Sequence, residues 1–350
     1  MATISFARGI PAPECLPVEE LADCARAALE RDGRTILSYG PSPGYAPLRE
    51  WIAERHGVDP ARVFLTNGSL QGFVFLAQRL APGRRVLVER PTYDRPLKIL
   101  RELGADVVPL AMDDEGLDPD ALEAALRDGE APAFLYTIPT FQNPSGRTLS
   151  TERRRRIVEL AAERDLLVLE DDPYGLVRFD GEPLPSLFEL SERRIAYSSS
   201  FSKTIAPGLR VGWFVLPEEL ARAVEATATA TYITPVLLGQ ATVHEFVSRG
   251  RFEPNLERVR GLLGSRRDAM LAALERELPA AHWSRPDGGY FVWLELPGPV
   301  ETAEAGGVTF VLGTDFGGAP TEVRLAYSFV SPDEIAEGVA RLAAALPVTV

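Results

Sequence analysis

Short apolar runs alternate with segments of helical periodicity over residues 40–216 of the chain. In the helical segments, apolar residues recur at i, i+3, i+4 and i+7; these segments are 70–80, 97–103, 119–126 and 151–164. The apolar runs have the length and composition of buried strands; they are 63–65, 85–89, 106–110, 133–138, 166–170, 195–198 and 211–216. Strands that alternate with helices predict crossover connections. We therefore expect an α/β fold whose large domain holds a mostly parallel seven-stranded sheet between layers of helices.

The pattern changes in the last third of the chain. Residues 217–278 have helical periodicity, which Pro235 and Pro254 interrupt. Strand patterns then return, at 289–296, 308–312 and 322–329, and a last helix is predicted at 332–346. This change predicts a smaller α+β domain, formed by residues 1–38 and 245–350, beside a large domain of residues 39–244.

Composition narrows the class of protein. The chain has 350 residues, of which 45% are apolar and 25% charged, as is ordinary for a globular protein. Its net charge of −13 argues against nucleic acid or an anionic membrane as a partner. Neither a signal pattern nor an apolar run of membrane-spanning length is present. Cys15, Cys24 and the three scattered histidines form no metal-ligand spacing, so we expect a cytoplasmic protein without a metal.

One lysine lies in a run of hydroxyl side chains, just after the strand predicted at 195–198. Residues 197–210 contain four serines and a threonine around Lys203, and Arg210 follows seven residues later. Hydroxyls and a guanidinium suit a phosphate dianion, whereas a lysine amine suits an aldehyde. Both requirements together indicate pyridoxal 5′-phosphate. The alternative interpretation is a polar turn with a solvated lysine.

Three consecutive strands of the predicted sheet are followed by polar side chains. Asn143 follows the strand at 133–138, Asp171 and Tyr174 follow the strand at 166–170, and Lys203 follows the next one. Ligands of parallel sheets bind beyond the carboxyl ends of the strands. We therefore expect an amide, a carboxylate, a phenol and an amine to meet at one edge of the sheet.

A cofactor of this kind needs a carboxylate that keeps its pyridine nitrogen protonated. Asp171 and Asp172 both follow the strand, and the alternation of the strand together with the spacing to Tyr174 favours Asp171. Asn143 and Tyr174 suit the role of donors to the phenolate oxygen of the ring. Tyr93 follows another strand and is a candidate for stacking on the ring, with ordinary packing as the alternative.

The phosphate needs a group of donors, and a helix N-terminus supplies them. Residues 66–72 follow the strand at 63–65 and open the helix predicted to reach residue 80. Ser69 and the neighbouring backbone amides therefore predict an anion site. The same pattern is also that of an ordinary helix N-cap.

Taken together, these motifs resemble the fold-type-I pyridoxal-phosphate-dependent aminotransferases, in particular the subgroup of 2-aminoadipate and kynurenine/aromatic aminotransferases. The resemblance extends from Ile4 to Arg324. The matching pieces, in order, are Tyr39-Gly40-Pro41 with Gly44 and Leu48-Arg49, then Asn143-Pro144-Ser145-Gly146, then Asp171 with Tyr174, and Ser200-Phe201-Ser202-Lys203 with Arg210. It implies an aspartate-aminotransferase-like fold and transfer of an amino group between an L-amino acid and a 2-oxo acid, with 2-oxoglutarate as the expected acceptor.

The resemblance also implies roles for individual residues. Lys203 resembles the lysine that forms the internal aldimine and moves the proton between the substrate α-carbon and the C4′ carbon of the cofactor. Arg324, with Asn143, is similar to the arginine that binds the substrate α-carboxylate. Tyr39 resembles a tyrosine that reaches the phosphate of the neighbouring subunit, which implies a homodimer with shared active sites. The residues that resemble the phosphate-binding group are Ser69, Leu70 (through its amide), Ser200, Ser202 and Arg210, and Arg8 and Gly9 border the substrate.

Two features depart from the pattern of that family. Its members usually carry a further segment before the Ile4-Ser5-Phe6 motif, and they are longer, by a helix of the small domain, between Leu296 and Val308. Arg8 stands where a glycine is common in the subgroup, so its side chain either enters the substrate pocket or lies at the surface. We expect these departures to change the substrate pocket, and the sequence leaves the amino-acid donor open.

Other functions share some of these motifs. β-Elimination, oxidation or cyclisation of an amino acid would use the same cofactor and the same lysine. Ser200 and Lys203 also match the Ser-x-x-Lys motif of serine acyl enzymes, but the companion motifs of those enzymes are absent from the sequence. A ligand-sensing domain of a DNA-binding regulator is the non-enzymatic alternative, and the acidic charge argues against it.

Overall fold

A computed structural model describes residues 3–346, so the outermost residues of the predicted small domain, 1–2 and 347–350, lie outside the described part. The strands are β1 (Ile4–Ser5), β2 (Val63–Thr66), β3 (Arg85–Glu89), β4 (Asp106–Leu110), β5 (Met112–Asp113), β6 (Gly116–Leu117), β7 (Phe134–Thr137), β8 (Val168–Asp171), β9 (Ile195–Ser200), β10 (Gly212–Val215), β11 (His282–Trp283), β12 (Phe291–Glu295), β13 (Glu304–Ala305), β14 (Val308–Thr309), β15 (Val311–Leu312) and β16 (Glu322–Ala326). The helices are α1 (Val18–Ile36), α2 (Ala46–His56), α3 (Ser69–Leu80), α4 (Asp94–Glu102), α5 (Pro119–Arg127), α6 (Thr151–Glu163), α7 (Leu187–Leu190), α8 (Glu218–Tyr232), α9 (Leu237–Ser248), α10 (Phe252–Glu277) and α11 (Pro332–Ala345).

A seven-stranded sheet with the order β2-β10-β9-β8-β7-β3-β4 forms the centre of the molecule. Its strands are parallel except β10, which is antiparallel to both of its neighbours. The prediction of a mostly parallel seven-stranded sheet is therefore confirmed. β10 runs the other way because only a single 3₁₀ turn, Pro207–Leu209, interrupts the link from β9, whereas a parallel return needs a longer crossover.

Helices cover both faces of this sheet, which explains why its strands read as continuous apolar runs. Leu87 of β3 belongs to one buried cluster, with residues of α2, α6 and α9. Its neighbours Val86 and Val88 belong to a second cluster, with residues of α3, α4 and α8. Successive side chains of one strand thus enter opposite cores.

A third buried cluster lies around the antiparallel sheet β11-β12-β16-β15 and the helices α10 and α11. The N-terminal segment joins this core, because β1 pairs with β14 and Phe6 is buried there. Helix α1, in contrast, contacts α9, and its residues Cys24 and Ala28 belong to the core beside the large sheet. The domain boundaries near residues 39 and 245 stay a prediction. Helix α1, which belongs to the predicted small domain, packs against the large domain.

Pro254 does not interrupt a helix as the sequence pattern suggested. It lies in the first turn of α10, where a backbone N–H has no partner within the helix, so a proline is tolerated there. The break falls instead just before α10, at Gly250 in the left-handed region with φ of 69°. Within residues 3–346, no helix has both the length and the apolar character that crossing a membrane requires.

Candidate active site

A cavity of about 380 Å³ opens at the carboxyl edge of the central sheet. Loops that follow β7, β8 and β9 line it, together with Gly9, Phe291 and Arg324. Most of the residues singled out in the sequence meet here: Gly9, Ser69, Leu70, Tyr93, Asn143, Asp171, Tyr174, Ser200, Ser202, Lys203, Arg210 and Arg324. Residues more than 300 positions apart in the chain thus share one cavity.

Lys203 lies in the turn after β9 and is partly buried. Its Nζ donates a hydrogen bond to the carbonyl oxygen of Gly9 at 2.9 Å. Burial, reinforced by the cations Arg324 and Arg210, lowers the pKa of Lys203 to about 8. A substantial fraction of the amine is therefore neutral, and so nucleophilic, at mildly alkaline pH.

Asp171 ends β8 and faces the cavity. Its Oδ2 accepts a hydrogen bond from the Tyr136 hydroxyl at 2.8 Å. Its Oδ1 is shielded from solvent and has no hydrogen-bond partner among residues 3–346. Burial raises the pKa of Asp171 to about 6, and the Tyr136 hydrogen bond opposes that rise. A shielded carboxylate oxygen without a donor is costly, so this position suits a ligand that brings its own N–H or positive charge.

The neighbouring carboxylate, Asp172, points away from this cavity. Its Oδ1 accepts a hydrogen bond from the Gly175 amide at 2.8 Å, and its Oδ2 accepts one from the Tyr197 hydroxyl at 3.0 Å. Because adjacent side chains of a strand point to opposite faces, only one of the two can face the cavity. The structure places Asp171 there.

Hydrogen-bond donors collect in the part of the cavity where α3 begins. Ser69 is the first residue of that helix, Ser200 is the last residue of β9, and Ser202 and Arg210 follow in the β9–β10 link. Arg210 Nη2 is held by a hydrogen bond to the Asn67 carbonyl at 3.1 Å. A helix N-terminus, hydroxyls and a guanidinium together form a strong site for an anion such as a phosphate.

Arg324 of β16 also lines the cavity. It is buried, with its Nη1 donating to Asn143 Oδ1 at 3.0 Å and its Nη2 donating to the Ala7 carbonyl at 2.9 Å. Its guanidinium lies over the rings of Phe291 and Phe316, at 4.3 and 5.0 Å from their centroids. Its Nε is buried and has no hydrogen-bond partner in the described chain. A planar, permanently charged donor in this setting suits a carboxylate.

Two predicted residues do not line the cavity. Arg8 is exposed, and its guanidinium lies over the ring of Phe329 at 5.1 Å from the centroid. Tyr39 is 79% exposed and contributes nothing to the cavity wall of its own chain. A further arginine, Arg95, lines the cavity.

The sequence did not single out Tyr136, which binds Asp171, or Tyr290, whose hydroxyl donates to the Lys203 carbonyl at 3.1 Å. A phenol inside an otherwise apolar strand was the available signal for Tyr136. The contact itself depends on the register of β7 against β8, which the sequence does not specify.

Comparisons with known proteins agree with this geometry. The family model of class I and II aminotransferases matches residues 14–342. The chain is 42% identical to the 2-aminoadipate transaminase of Thermus thermophilus, over 98% of this chain and 90% of the relative. It is 35% identical to aromatic-amino-acid aminotransferase 1 of Thermococcus litoralis, over 97% of this chain and 87% of the relative.

Among solved structures, the chain resembles the α-aminoadipate aminotransferase of Thermus thermophilus in complex with N-(5′-phosphopyridoxyl)-L-leucine. The TM-score is 0.92 and the identity 39%, with 98% of this chain and 91% of that chain covered. The chain therefore belongs to the class I and II aminotransferase family. It is an enzyme with pyridoxal 5′-phosphate as its cofactor, and the predictions of fold, reaction class and cofactor are confirmed.

Proposed function

We propose that the cavity described above is the active site of this aminotransferase and that each end of it holds a different part of the reacting system. The observation that carries the proposal is the pairing of a partly neutral amine, Lys203, with the donor-free Oδ1 of Asp171 on the wall of one cavity. The donors at the start of α3 would hold the phosphate, Asp171 would hold the protonated ring nitrogen, and Tyr93 would cover the ring. These residues fit pyridoxal 5′-phosphate, because the phosphate would meet hydroxyls and a guanidinium, the protonated ring nitrogen a carboxylate and the phenolate oxygen neutral donors.

When bound, the cofactor supplies an electron sink that makes the α-carbon of an amino acid acidic. Lys203 would attach the cofactor and then move the proton between that carbon and the C4′ carbon. Asp171 would keep the ring nitrogen protonated, as an opposite charge favours the cationic form. Burial holds the pKa of Tyr174 above its usual range, so its hydroxyl stays a neutral donor, and with Asn143 it would face the phenolate oxygen. Arg324 and Asn143 would bind the α-carboxylate of the amino acid.

A panel of L-amino acids, incubated with the enzyme with and without 2-oxoglutarate, tests this function. Glutamate and the matching 2-oxo acid are expected to appear together, and only when the acceptor is present. Release of ammonia or peroxide without an acceptor would contradict amino-group transfer as the main reaction.

2-Oxoglutarate is the acceptor that we propose, with Arg95 near its distal carboxylate. Arg95 and Asp94 line the cavity as an ion pair at 3.6 Å, and the Arg95 side chain is 61% exposed. Arg95→Gln is expected to raise the KM for 2-oxoglutarate by about fivefold, since partly screened charges contribute little more. The KM for a 2-oxo acid with an apolar side chain should stay unchanged.

Arg8→Gln is the matched control for this experiment, because it removes an arginine that lies on Phe329 outside the cavity. It is expected to leave both Michaelis constants unchanged. An equal rise for both acceptors in Arg95→Gln, or a selective rise in Arg8→Gln, would assign the distal carboxylate to another residue.

We also propose a cytoplasmic homodimer in which Tyr39 reaches the phosphate site of the partner subunit. Leu37, Tyr39, Ile233 and Val236 are exposed apolar or aromatic side chains on two segments that a hydrogen bond from the Gly40 amide to Thr234 joins. The Val236 amide in turn donates to Asn67 Oδ1, so this patch lies next to the group that holds Arg210. The two free, buried cysteines are compatible with a reducing compartment.

Ile233→Asp is expected to weaken dimerisation roughly thirtyfold or more, because a charge would replace an apolar side chain in the proposed interface. Sedimentation at several protein concentrations measures this, and cofactor retention should fall in parallel. Val18→Asp, at another exposed apolar position, is the control and should stay dimeric. A fully active wild-type monomer would exclude the shared site.

A further inference from the structure

A buried carboxylate lies outside the cavity wall, at the end of β3. Glu89 is 2% exposed, and the partners of its oxygens are neutral donors. Thr137 Oγ1 donates to Oε1 at 2.5 Å, Gln142 Nε2 donates to Oε2 at 2.9 Å, and the Ile138 amide contacts both oxygens at 3.2–3.3 Å. Burial raises the pKa of Glu89 to about 7, and these hydrogen bonds favour its ionised form.

Gln142 connects this carboxylate to two loops of the active site. Its Nε2 also donates to the Pro91 carbonyl at 2.8 Å, two residues before Tyr93. Its Oε1 accepts a hydrogen bond from the Ser145 amide at 2.8 Å. The next residue, Asn143, contacts Arg324. One amide side chain thus ties together the end of β3, the loop of Tyr93 and the loop of Asn143.

The loop of Asn143 needs such support. Phe141 is fully buried and has φ of 50°, in the left-handed region that bulky side chains rarely adopt. Backbone of this kind persists only where its surroundings hold it. A buried carboxylate without a cation is also costly, and the hydrogen bonds from Thr137, Gln142 and the Ile138 amide offset that cost. A buried polar network thus holds the loop of Asn143 against the end of β3.

We propose that Glu89 is a positioning residue for substrate: acting through Gln142, it orients Asn143 so that the Asn143 side chain and Arg324 together donate hydrogen bonds to the α-carboxylate. This inference rests on the proposed role of Arg324 and Asn143. It predicts that Glu89 affects the binding of carboxylates more than the retention of the cofactor, since the phosphate site and Lys203 lie on other loops.

Glu89→Gln tests the proposal with little change in shape. An amide has one acceptor oxygen instead of two and carries no charge, so it cannot accept from Thr137 and Gln142 on separate oxygens as the carboxylate does, and the bond that it keeps with Gln142 Nε2 is weaker. The KM for the amino acid and for the 2-oxo acid are expected to rise together by roughly tenfold, as displacement of a binding group commonly costs that much or more. The inhibition constant of propionate, a carboxylate without an amino group, should rise equally, whereas kcat should change less than KM.

Gln142→Leu removes the other end of the bridge. It is expected to raise the same constants, and the double variant should be no worse than the more impaired single variant, because both changes break one connection. Thr137→Val is a milder alternative if Glu89→Gln folds poorly, since it removes one donor to Glu89 and keeps the shape of the side chain. Thr137→Val should also raise the inhibition constant of propionate.

Glu245→Gln is the matched control. Glu245 of α9 is also buried, at 3% exposure, but it pairs with Arg31 of α1 and with Arg249, and it does not line the cavity. The control should lower the unfolding temperature without changing either Michaelis constant. Cofactor affinity, measured by titration, should stay within about twofold of wild type in Glu89→Gln and in Glu245→Gln.

The outcomes separate this inference from the proposed function. Glu89 has only a structural role if the inhibition constant of propionate is unchanged in Glu89→Gln while the unfolding temperature falls as it does in Glu245→Gln. If Arg324→Ala also leaves the propionate constant unchanged, the proposed carboxylate site is itself wrong. A rise in Arg324→Ala and none in Glu89→Gln or Thr137→Val would reject only the positioning role.

Discussion

Lys203→Ala is expected to lower the rate of transamination by roughly 10⁴-fold or more, because the variant loses both the attachment of the cofactor and the group that moves the proton. The chain offers a sharp control, since its only other lysine is Lys98. Lys98 lies on α4, is 53% exposed and pairs with Asp94 at 3.3 Å. Lys98→Ala should therefore keep the activity of the wild type.

The same pair of lysines allows a test that does not depend on turnover. Borohydride treatment of the loaded enzyme is expected to leave the cofactor on the peptide that contains Lys203 and none on the peptide of Lys98, as read by mass spectrometry. Because the pKa of Lys203 is lowered to about 8, incorporation of the cofactor should accelerate as the pH rises through that value. A fully active Lys203→Ala enzyme, or labelling at Lys98 instead, would reject the assignment.

Asp171→Asn is the second change with a large expected effect. An amide cannot hold a protonated ring nitrogen by charge, so the electron sink weakens, and kcat should fall roughly a hundred- to thousandfold, as when other preorganised charges of active sites are removed. The cofactor should remain bound, since its phosphate site and its link to Lys203 are intact. Steady-state kinetics and the absorbance of the bound cofactor measure the two effects separately.

Asp172→Asn controls for the loss of a neighbouring carboxylate. Its side chain lies on the other face of the strand, bonded to Gly175 and Tyr197. We expect a loss of stability, since Asn can accept only one of these two hydrogen bonds, and at most a small change in kcat. A severe loss of kcat in Asp172→Asn with none in Asp171→Asn would falsify the placement of Asp171 against the ring nitrogen.

The strands and helices of the large domain could be predicted from the sequence, because burial on both faces of the sheet produces continuous apolar runs. The strands predicted at 85–89 and 106–110 have the same bounds in the structure, and the helix predicted at 119–126 differs by one residue. The predicted ends of helices were less accurate where the residues of the turn determine where a helix begins. At α10, Pro254 looked like an interruption because a proline pattern does not distinguish a first turn from a helix interior.

The choice between Asp171 and Asp172 was also partly accessible, because a strand sends adjacent side chains to opposite faces. Alternation favoured Asp171, and the structure places its side chain at the cavity. The position of Arg8 was not accessible. Its side chain lies on Phe329, more than 300 residues away in the chain, and no local pattern records that contact.

The sequence by itself determined the alternation of strands and helices, the loops that carry Asn143, Asp171 and Lys203, and the chemistry of a phosphate and an aldehyde. These features follow from local periodicity and from residue types close together in the chain. Only the tertiary structure decided the antiparallel direction of β10, the contact of Tyr136 with Asp171 and the bridge from Glu89 through Gln142. The physical reason is that such contacts depend on strand register and on burial by distant residues, and both arise only when the layers of the fold pack together.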